Sequence, residues 1–201
     1  MKKFLSILML IISFFITDKA NAWYGGDCPA KKVLVAYFSA TGNTAAIAEE
    51  IYKFSIENGV ETDLFEIKPE QPYTDADLDW RNEQSRSSIE MKDLDFRPLI
   101  ATRVENMDKY DVVFIGFPIW WGREPAIIDT FLESYNFSGK DIVPFATSGS
   151  SDIGEVYKNM QLLAPKAYVN RGKRFSTDMS SKEEKDTLDS WAYEYIVSIC
   201  L

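Results

Sequence analysis

The stretch that decides the fold reads Val33-Leu34-Val35-Ala36-Tyr37-Phe38, then Ser39-Ala40-Thr41-Gly42-Asn43-Thr44, then Ala45-Ala46-Ile47-Ala48-Glu49-Glu50-Ile51. Its first part is an apolar run that predicts a buried strand, and its last part is typical of a helix. The six residues between them contain three hydroxyl side chains and no Lys or Arg. Because a helix N-terminus presents unpaired backbone N–H groups, this turn predicts a site for a small phosphate monoester. The alternative interpretation is that Thr41 or Asn43 only caps the helix.

Further strands and helices alternate along the rest of the chain. Strands are predicted near residues 60–67, 111–116, 140–147 and 167–169, and helices near 45–56, 75–90, 125–135, 153–163 and 181–199. Strands that alternate with helices form a parallel sheet covered on both faces. We therefore expect a doubly wound α/β fold with three layers, α/β/α, and five parallel strands in the order 2-1-3-4-5.

Two more loops follow predicted strands, so they lie at the same carboxyl edge of the sheet as residues 39–44. One contains Pro118-Ile119-Trp120-Trp121-Gly122 and offers a flat apolar platform for an aromatic ligand. The other contains Thr147-Ser148-Gly149-Ser150 and offers backbone N–H groups. Taken singly, either tryptophan is explained equally well as core, and the Ser/Gly stretch as a plain turn. Their convergence with residues 39–44 predicts a ligand crevice where the strand order reverses.

The turn at residues 39–44 resembles the phosphate loop of the flavodoxin family, T-x-T-G-x-T, with Ser39 in the first position. The resemblance extends over roughly residues 32–199. It implies a flavodoxin-like fold and non-covalently bound FMN, with the phosphate on residues 39–44, the flavin ring against residues 118–122 and the pyrimidine edge at residues 147–150. It also implies that the Trp121–Gly122 peptide reorients when the flavin is reduced. The alternative is that Gly122 simply permits the turn.

The amino-acid composition limits the reactions that the side chains of this protein can carry out. The chain has 201 residues, 46% of them hydrophobic, which fits one globular domain with a sizeable core. It contains no histidine, which excludes Ser-His-Asp and Cys-His catalysis and every His-ligated metal or haem. We expect no catalytic side chain and no metal site. Any redox chemistry must therefore be carried by an organic cofactor.

Residues 1–22 are expected to be a secretory signal peptide, and residues 23–201 the folded domain. Lys2 and Lys3 precede an apolar segment, residues 4–16, and Ala20-Asn21-Ala22 fits a cleavage site. We expect export to the periplasm or secretion, and a retained membrane anchor is the alternative. Cleavage would remove three lysines and one aspartate, so the formal charge would move from −9 to −11. An acidic surface repels nucleic acid and favours redox partner proteins with basic surfaces, although ordinary solubility explains it equally well.

Two cysteines, Cys28 and Cys200, stand near the two ends of the expected domain. In the expected fold the last helix runs antiparallel to the strands and ends near the start of the first strand. In an oxidising compartment the two thiols can therefore pair as a disulfide, and the alternative is that both stay free.

Three functions are compatible with this sequence. The first is an electron carrier that shuttles single electrons between proteins outside the cytoplasm. The second is an NAD(P)H-dependent FMN oxidoreductase that acts on quinones or similar acceptors. The third is an interaction module that has lost its flavin. Because no proton-transfer residue stands out, and a carrier needs none, the carrier is the interpretation that the sequence favours.

Overall fold

A parallel β-sheet forms the centre of the structure, a computed structural model that describes residues 31–177 and 180–196. Its strands are β1 (Val33–Tyr37), β2 (Thr62–Glu66), β3 (Val112–Pro118), β4 (Asp141–Thr147), β5 (Tyr168–Val169) and β6 (Lys173–Phe175). The strand order is β2-β1-β3-β4-β5, and β6 also pairs with β4. Every pairing of these strands is parallel. The predicted fold class and strand order are therefore confirmed.

Helices cover both faces of the sheet. They are α1 (Asn43–Glu57), α2 (Arg86–Lys92), α3 (Ala126–Glu133), α4 (Val156–Leu163) and α5 (Lys182–Ile196), with a 3₁₀ turn at Met107–Lys109. Val33 and Val35 of β1 pack in one core with residues of α1 and α5, whereas Leu34 and Ala36 pack in a second core with residues of α3 and α4. Successive side chains of a strand point to opposite faces, so a continuous apolar run fills both cores.

Two short strands, β5 and β6, follow one another along β4 and both pair with it. The sequence predicted β5 but not β6. The N–H groups of Tyr168 and Asn170 donate to the carbonyls of Lys140 and Ile142, each at 2.9 Å. Pro144 stands two residues after Ile142 and faces the same neighbouring strand. It has no backbone N–H, so it cannot donate the next hydrogen bond between the two strands. The neighbouring chain therefore bulges out at residues 170–172 before it pairs again as β6.

The bulge depends on Gly172, whose φ is +78°. A Cβ at this position would lie 2.4 Å from the carbonyl oxygen of Pro144. Any larger residue would clash with the β4 backbone in a conformation that it rarely adopts. Two residues, Pro144 and Gly172, therefore account for the interruption of strand pairing beside β4.

Residues 69–98 contain less helix than predicted, because a helix over 75–90 does not form. Side chains there bond to nearby backbone instead: Asp77 accepts from Thr74 N–H, and Asp79 accepts from Arg81 N–H. Such local bonds compete with helix formation. Only α2 forms, and the hydroxyl of Ser85 caps it by accepting from the Ser88 N–H.

The closing helix α5 begins as predicted. Ser181 Oγ accepts from the backbone N–H of Glu184 at 3.2 Å, which is one of the two hydrogen bonds of a capping box. The predicted signal peptide, residues 1–22, and both Cys28 and Cys200 lie outside the described residues, so these remain predictions. Within residues 31–177 and 180–196, no helix is both long and apolar enough to cross a membrane.

Candidate functional site

The three loops singled out by the sequence meet at the carboxyl edge of the sheet. Thr44, at the start of α1, and Thr147, at the end of β4, join their hydroxyl oxygens by a hydrogen bond of 2.8 Å. The N–H of Ile119, just after β3, donates to the carbonyl of Thr147 at 3.0 Å. The loops after β1, β3 and β4 are therefore fixed to one another, and they form one site.

The loop at residues 39–44 leaves the N-terminus of α1 uncapped. Gly42 is the N-cap residue, with φ of 89°, and no side chain caps the helix. The side chain of Asn43 donates instead to Thr41 Oγ1, at 3.2 Å, and Ser39 Oγ accepts from the N–H of Gly42 at 3.1 Å. The alternative that Thr41 or Asn43 caps the helix is thus wrong.

This loop fits a phosphate group. Thr41, Gly42 and Asn43 are exposed, Ser39 and Ala40 are partly buried, and Thr44 is buried with its hydroxyl on Thr147. The first N–H groups of α1 have no partner within the helix. Beside them lie the exposed Thr41 and the partly buried Ser39, each of which carries a hydroxyl. An anion there would be held by neutral donors and by the helix dipole.

Residues 120–123 form a tight two-residue turn. Trp120 N–H donates to the carbonyl of Arg123 at 2.9 Å, and Arg123 N–H donates back to the carbonyl of Trp120 at 3.0 Å. Both residues at the tip have positive φ, 47° for Trp121 and 82° for Gly122. Such a turn requires left-handed backbone at both positions, which suits Gly122 and is unusual for a tryptophan. Backbone strain of this kind is concentrated at ligand sites.

The two tryptophans have different environments. The ring of Trp120 lies edge-on to Phe38, with centroids 5.6 Å apart, and edge-on to Tyr73, at 5.3 Å. Trp121 is 50% exposed. Pro118 ends β3, and Ile119 packs against the core. Trp120 therefore supports the turn from below, whereas Trp121 presents its indole at the surface.

Tyr73 is a site neighbour that sequence reasoning missed. Its hydroxyl donates to Glu90 Oε2, and the guanidinium of Arg86 lies 4.0 Å from its ring centroid. Burial, followed by the bond to Glu90, raises the pKa of Tyr73, so this hydroxyl stays protonated. Through Tyr73 and Trp120, the segment at residues 69–98 is attached to the site. The sequence carries no signal for this contact, because it joins residues 47 positions apart.

The third loop is held by an arginine that sequence reasoning also missed. Arg174 of β6 donates Nη2 to the carbonyls of Ser148, at 2.7 Å, and Gly149, at 3.0 Å. Its Nε donates to Ser148 Oγ at 3.2 Å. Arg174 therefore holds this loop through its carbonyls and the Ser148 hydroxyl, and it does not occupy the backbone N–H groups. Gly149 and Ser150 are exposed.

One surface groove lies away from this site, and no metal cluster accompanies the site among the described residues. This groove of about 670 Å³ lies between β6 and α5, lined in part by Lys173, Asp186 and Trp191, and none of the predicted site residues lines it. Among the described residues, no group of three or more Cys, Asp or Glu side chains is placed to hold a metal ion.

An uncapped helix N-terminus, a half-exposed indole and a polar loop lie at the carboxyl edge of a doubly wound sheet with the strand order β2-β1-β3-β4-β5, which defines a flavodoxin-like α/β protein. The family model for flavodoxins matches residues 32–194. The chain therefore belongs to the flavodoxin family.

Solved structures agree with this assignment. A protein from Bacteroides eggerthii, described provisionally as a flavoprotein, is 44% identical with a TM-score of 0.72, over 83% of this chain and 98% of its own. A similar protein from Bacteroides uniformis is 42% identical with a TM-score of 0.71, over 81% and 97%. A flavoprotein from Lactobacillus acidophilus, solved in complex with FMN, is 26% identical with a TM-score of 0.53, over 79% and 99%. No protein of curated function matches the chain.

Proposed function

We propose that this protein binds FMN without a covalent bond. The phosphate would lie on the free N–H groups of α1 and the hydroxyls of Ser39 and Thr41. The indole of Trp121 would cover the flavin ring, and the loop at Ser148–Ser150 would meet the pyrimidine edge. The observation that carries this proposal is the uncapped N-terminus of α1 at the same edge of the sheet as the half-exposed Trp121. The similar flavoprotein from Lactobacillus acidophilus, solved with FMN, supports it.

The bound flavin would make the protein an electron carrier. FMN accepts and releases electrons singly or in pairs, and the chain supplies binding, orientation and the surrounding electric field. The loop residues 39–44, 118–122 and 147–151 contain no ionisable side chain. A reductase that protonates a substrate usually needs such a group at its site. The neutral loops therefore favour a carrier over an NAD(P)H-dependent oxidoreductase.

The cofactor is tested by titrating FMN into purified protein and following flavin fluorescence. Trp121→Ala is expected to weaken FMN binding by about tenfold or more, since base–aromatic stacking contributes about 1–3 kcal/mol. Trp80→Ala is the matched control, because Trp80 is 67% exposed and lies outside the three loops. Absence of any FMN binding by the unsubstituted protein would refute the proposal.

The carrier role is tested by mixing the FMN-loaded protein with NADH or NADPH under anaerobic conditions. A carrier is expected to keep its oxidised flavin absorbance until a redox partner protein is added. Rapid bleaching by nicotinamide alone would overturn the carrier role and favour the oxidoreductase.

We further propose that the carrier works outside the cytoplasm with basic partner proteins. Lys2, Lys3, the apolar residues 4–16 and Ala20-Asn21-Ala22 support export, and the net charge of −9 supports basic partners. N-terminal sequencing of the protein produced in its host tests export, with Trp23 expected as the first residue. The electron-transfer rate with a basic acceptor protein should fall steeply as salt is added. A rate independent of salt would count against a charged partner surface.

A further inference from the structure

A cluster of charged side chains lies behind the Trp120–Arg123 turn, and FMN binding makes no use of it. Glu124 follows the turn directly, Asp129 lies on α3, and Asn159 lies on α4. Both carboxyl groups are essentially without solvent exposure, at 0% for Glu124 and 1% for Asp129. The side-chain amide of Asn159 donates to Glu124 Oε1 and also to Asp129 Oδ1, the latter at 3.1 Å. A single amide group thus bridges two buried carboxyls.

The cluster holds more carboxylates than cations. Arg123 Nη2 donates to Asp129 Oδ2 and lies 3.6 Å from Glu124 Oε1. Arg97 uses Nε and Nη2 to bind both oxygens of Glu133 at 2.8 Å, and its Nη1 lies 3.9 Å from Asp129. Each arginine is therefore bound closely to one carboxylate. Glu124 is left with only the longer contact to Arg123, at 3.6 Å, which Arg123 makes while it is bound to Asp129.

One oxygen of Glu124 is also unpaired. Its Oε2 is buried and makes no hydrogen bond within the part of the chain that the structure describes. A buried carboxylate with an unpaired oxygen is far costlier than the neutral acid, because the lost hydration is not replaced. We propose that Glu124 is a proton-binding site whose ionisation is coupled to electron uptake by a flavin beside the Trp120–Arg123 turn.

The groups around Glu124 determine which of the two carboxyls binds the proton. Burial, followed by the like charge of Asp129, raises the pKa of Glu124 to about 7. Burial also raises the pKa of Asp129, but Arg123 opposes that shift. The two carboxyls titrate as a coupled pair, and Glu124 is the favoured place for its proton because Asp129 has the direct bond to Arg123. When Glu124 ionises, the proton passes to solvent and a negative charge stays in the cluster.

The coupling to electron uptake rests on the proposed function. Glu124 is two residues from Gly122, so their Cα atoms lie within about 7.6 Å of each other. An ionised Glu124 opposes the negative charge that an electron adds, so electron and proton uptake favour each other. We expect an effect of about tenfold on the electron-uptake equilibrium, or about 59 mV for one electron.

Protonation is tested on FMN-free, unsubstituted protein by ¹³C NMR titration of the Glu124 side-chain carboxyl, with the resonance assigned through bonds. The expected midpoint is near pH 7. In Asp129→Asn, which removes the like charge and leaves Arg123 to pair with Glu124, the midpoint should move to lower pH. A Glu124 midpoint near 4.5, its ordinary value, would overturn the proposal without involving FMN.

The coupling is tested by measuring both one-electron potentials of the FMN-loaded protein between pH 5.5 and 8.5. In the unsubstituted protein the potentials should show an inflection near pH 7, with lower values above it. Glu124→Gln, a neutral side chain of the same shape, should lose this inflection and keep the values typical of low pH. Glu155→Gln is the control, because Glu155 is exposed at the start of α4 and pairs with Lys158. Identical pH profiles for Glu124→Gln and the unsubstituted protein would refute the coupling.

Discussion

Arg174 offers the sharpest test of how the site is organised, because it touches only one of the three loops. Its guanidinium makes three hydrogen bonds to Ser148 and Gly149. Arg174→Met keeps the apolar stem of the side chain and removes all three bonds. We expect FMN binding to weaken much more than folding stability, since the loop would still be solvated when released.

The magnitude follows from the number of residues set free. Ordering the backbone of one residue costs about 1–2 kcal/mol, and two residues here lose their anchor. FMN would then have to order them on binding, at about 2 kcal/mol in total, which weakens binding roughly thirtyfold. The hydrogen bonds are partly exposed, so we expect a loss of only about 1 kcal/mol in the free energy of unfolding.

Calorimetric titration with FMN and urea unfolding measure the two quantities separately. Arg174→Lys keeps the charge but replaces the fork of donors with a single ammonium. Its FMN affinity should therefore fall between that of the unsubstituted protein and that of Arg174→Met. Arg171→Met is the control, because Arg171 is exposed and stacks on Tyr157, 5.7 Å from the ring centroid, away from the loop. FMN affinity within threefold of the unsubstituted protein in Arg174→Met would refute the reasoning.

Three further predictions address the other parts of the site. Gly122→Ala should lower the free energy of unfolding by roughly 1 kcal/mol, because φ is +82° and nothing lies within 4 Å of the added Cβ. The same substitution should shift both one-electron potentials, and unchanged potentials would show that Gly122 only permits the turn. Thr44→Val and Thr147→Val break one buried hydrogen bond, so a double-mutant cycle in urea should give a coupling of about 1 kcal/mol, and additive losses would contradict this. In the folded protein the pKa of Glu124 lies above its ordinary value of 4.5. The favourable contribution of Glu124 to the free energy of unfolding is therefore complete below pH 4.5 and is lost as pH rises through about 7. Relative to Glu124→Gln, the unsubstituted protein should lose about 3 kcal/mol of stability between pH 4.5 and 8, and parallel stability curves would exclude the raised pKa.

The strand order of the sheet was predictable because its causes are local. The apolar run Val33–Phe38 fills both cores, which only a central strand can do, whereas residues 60–67 alternate as an edge strand does. The loops after β1, β3 and β4 then had to meet at one edge, since parallel strands end together. The position of the candidate site follows from this topology alone.

The contacts within the site were not predictable in the same way, because they join residues far apart in the sequence. Nothing in the pair Trp120-Trp121 says which indole faces inward. Phe38 and Tyr73 decide it by packing against Trp120. Arg174 was hidden for a related reason: it stands on β6, which forms only because the chain bulges past Pro144 and pairs again with β4. Short strands of three residues have too little pattern to identify.

The site separates neutral and charged groups into two layers. The loops that would touch FMN carry hydroxyls, backbone N–H groups and indoles, which bind a phosphate ester and an aromatic ring without fixing the flavin's charge. Behind them lie Glu124 and Asp129, buried where Coulomb interactions are screened less than in water. A charge in that second layer changes the field at the turn without contacting the ligand. Affinity and redox potential are therefore expected to respond to different residues, with Trp121 and Arg174 governing affinity and Glu124 governing the pH dependence of the potential.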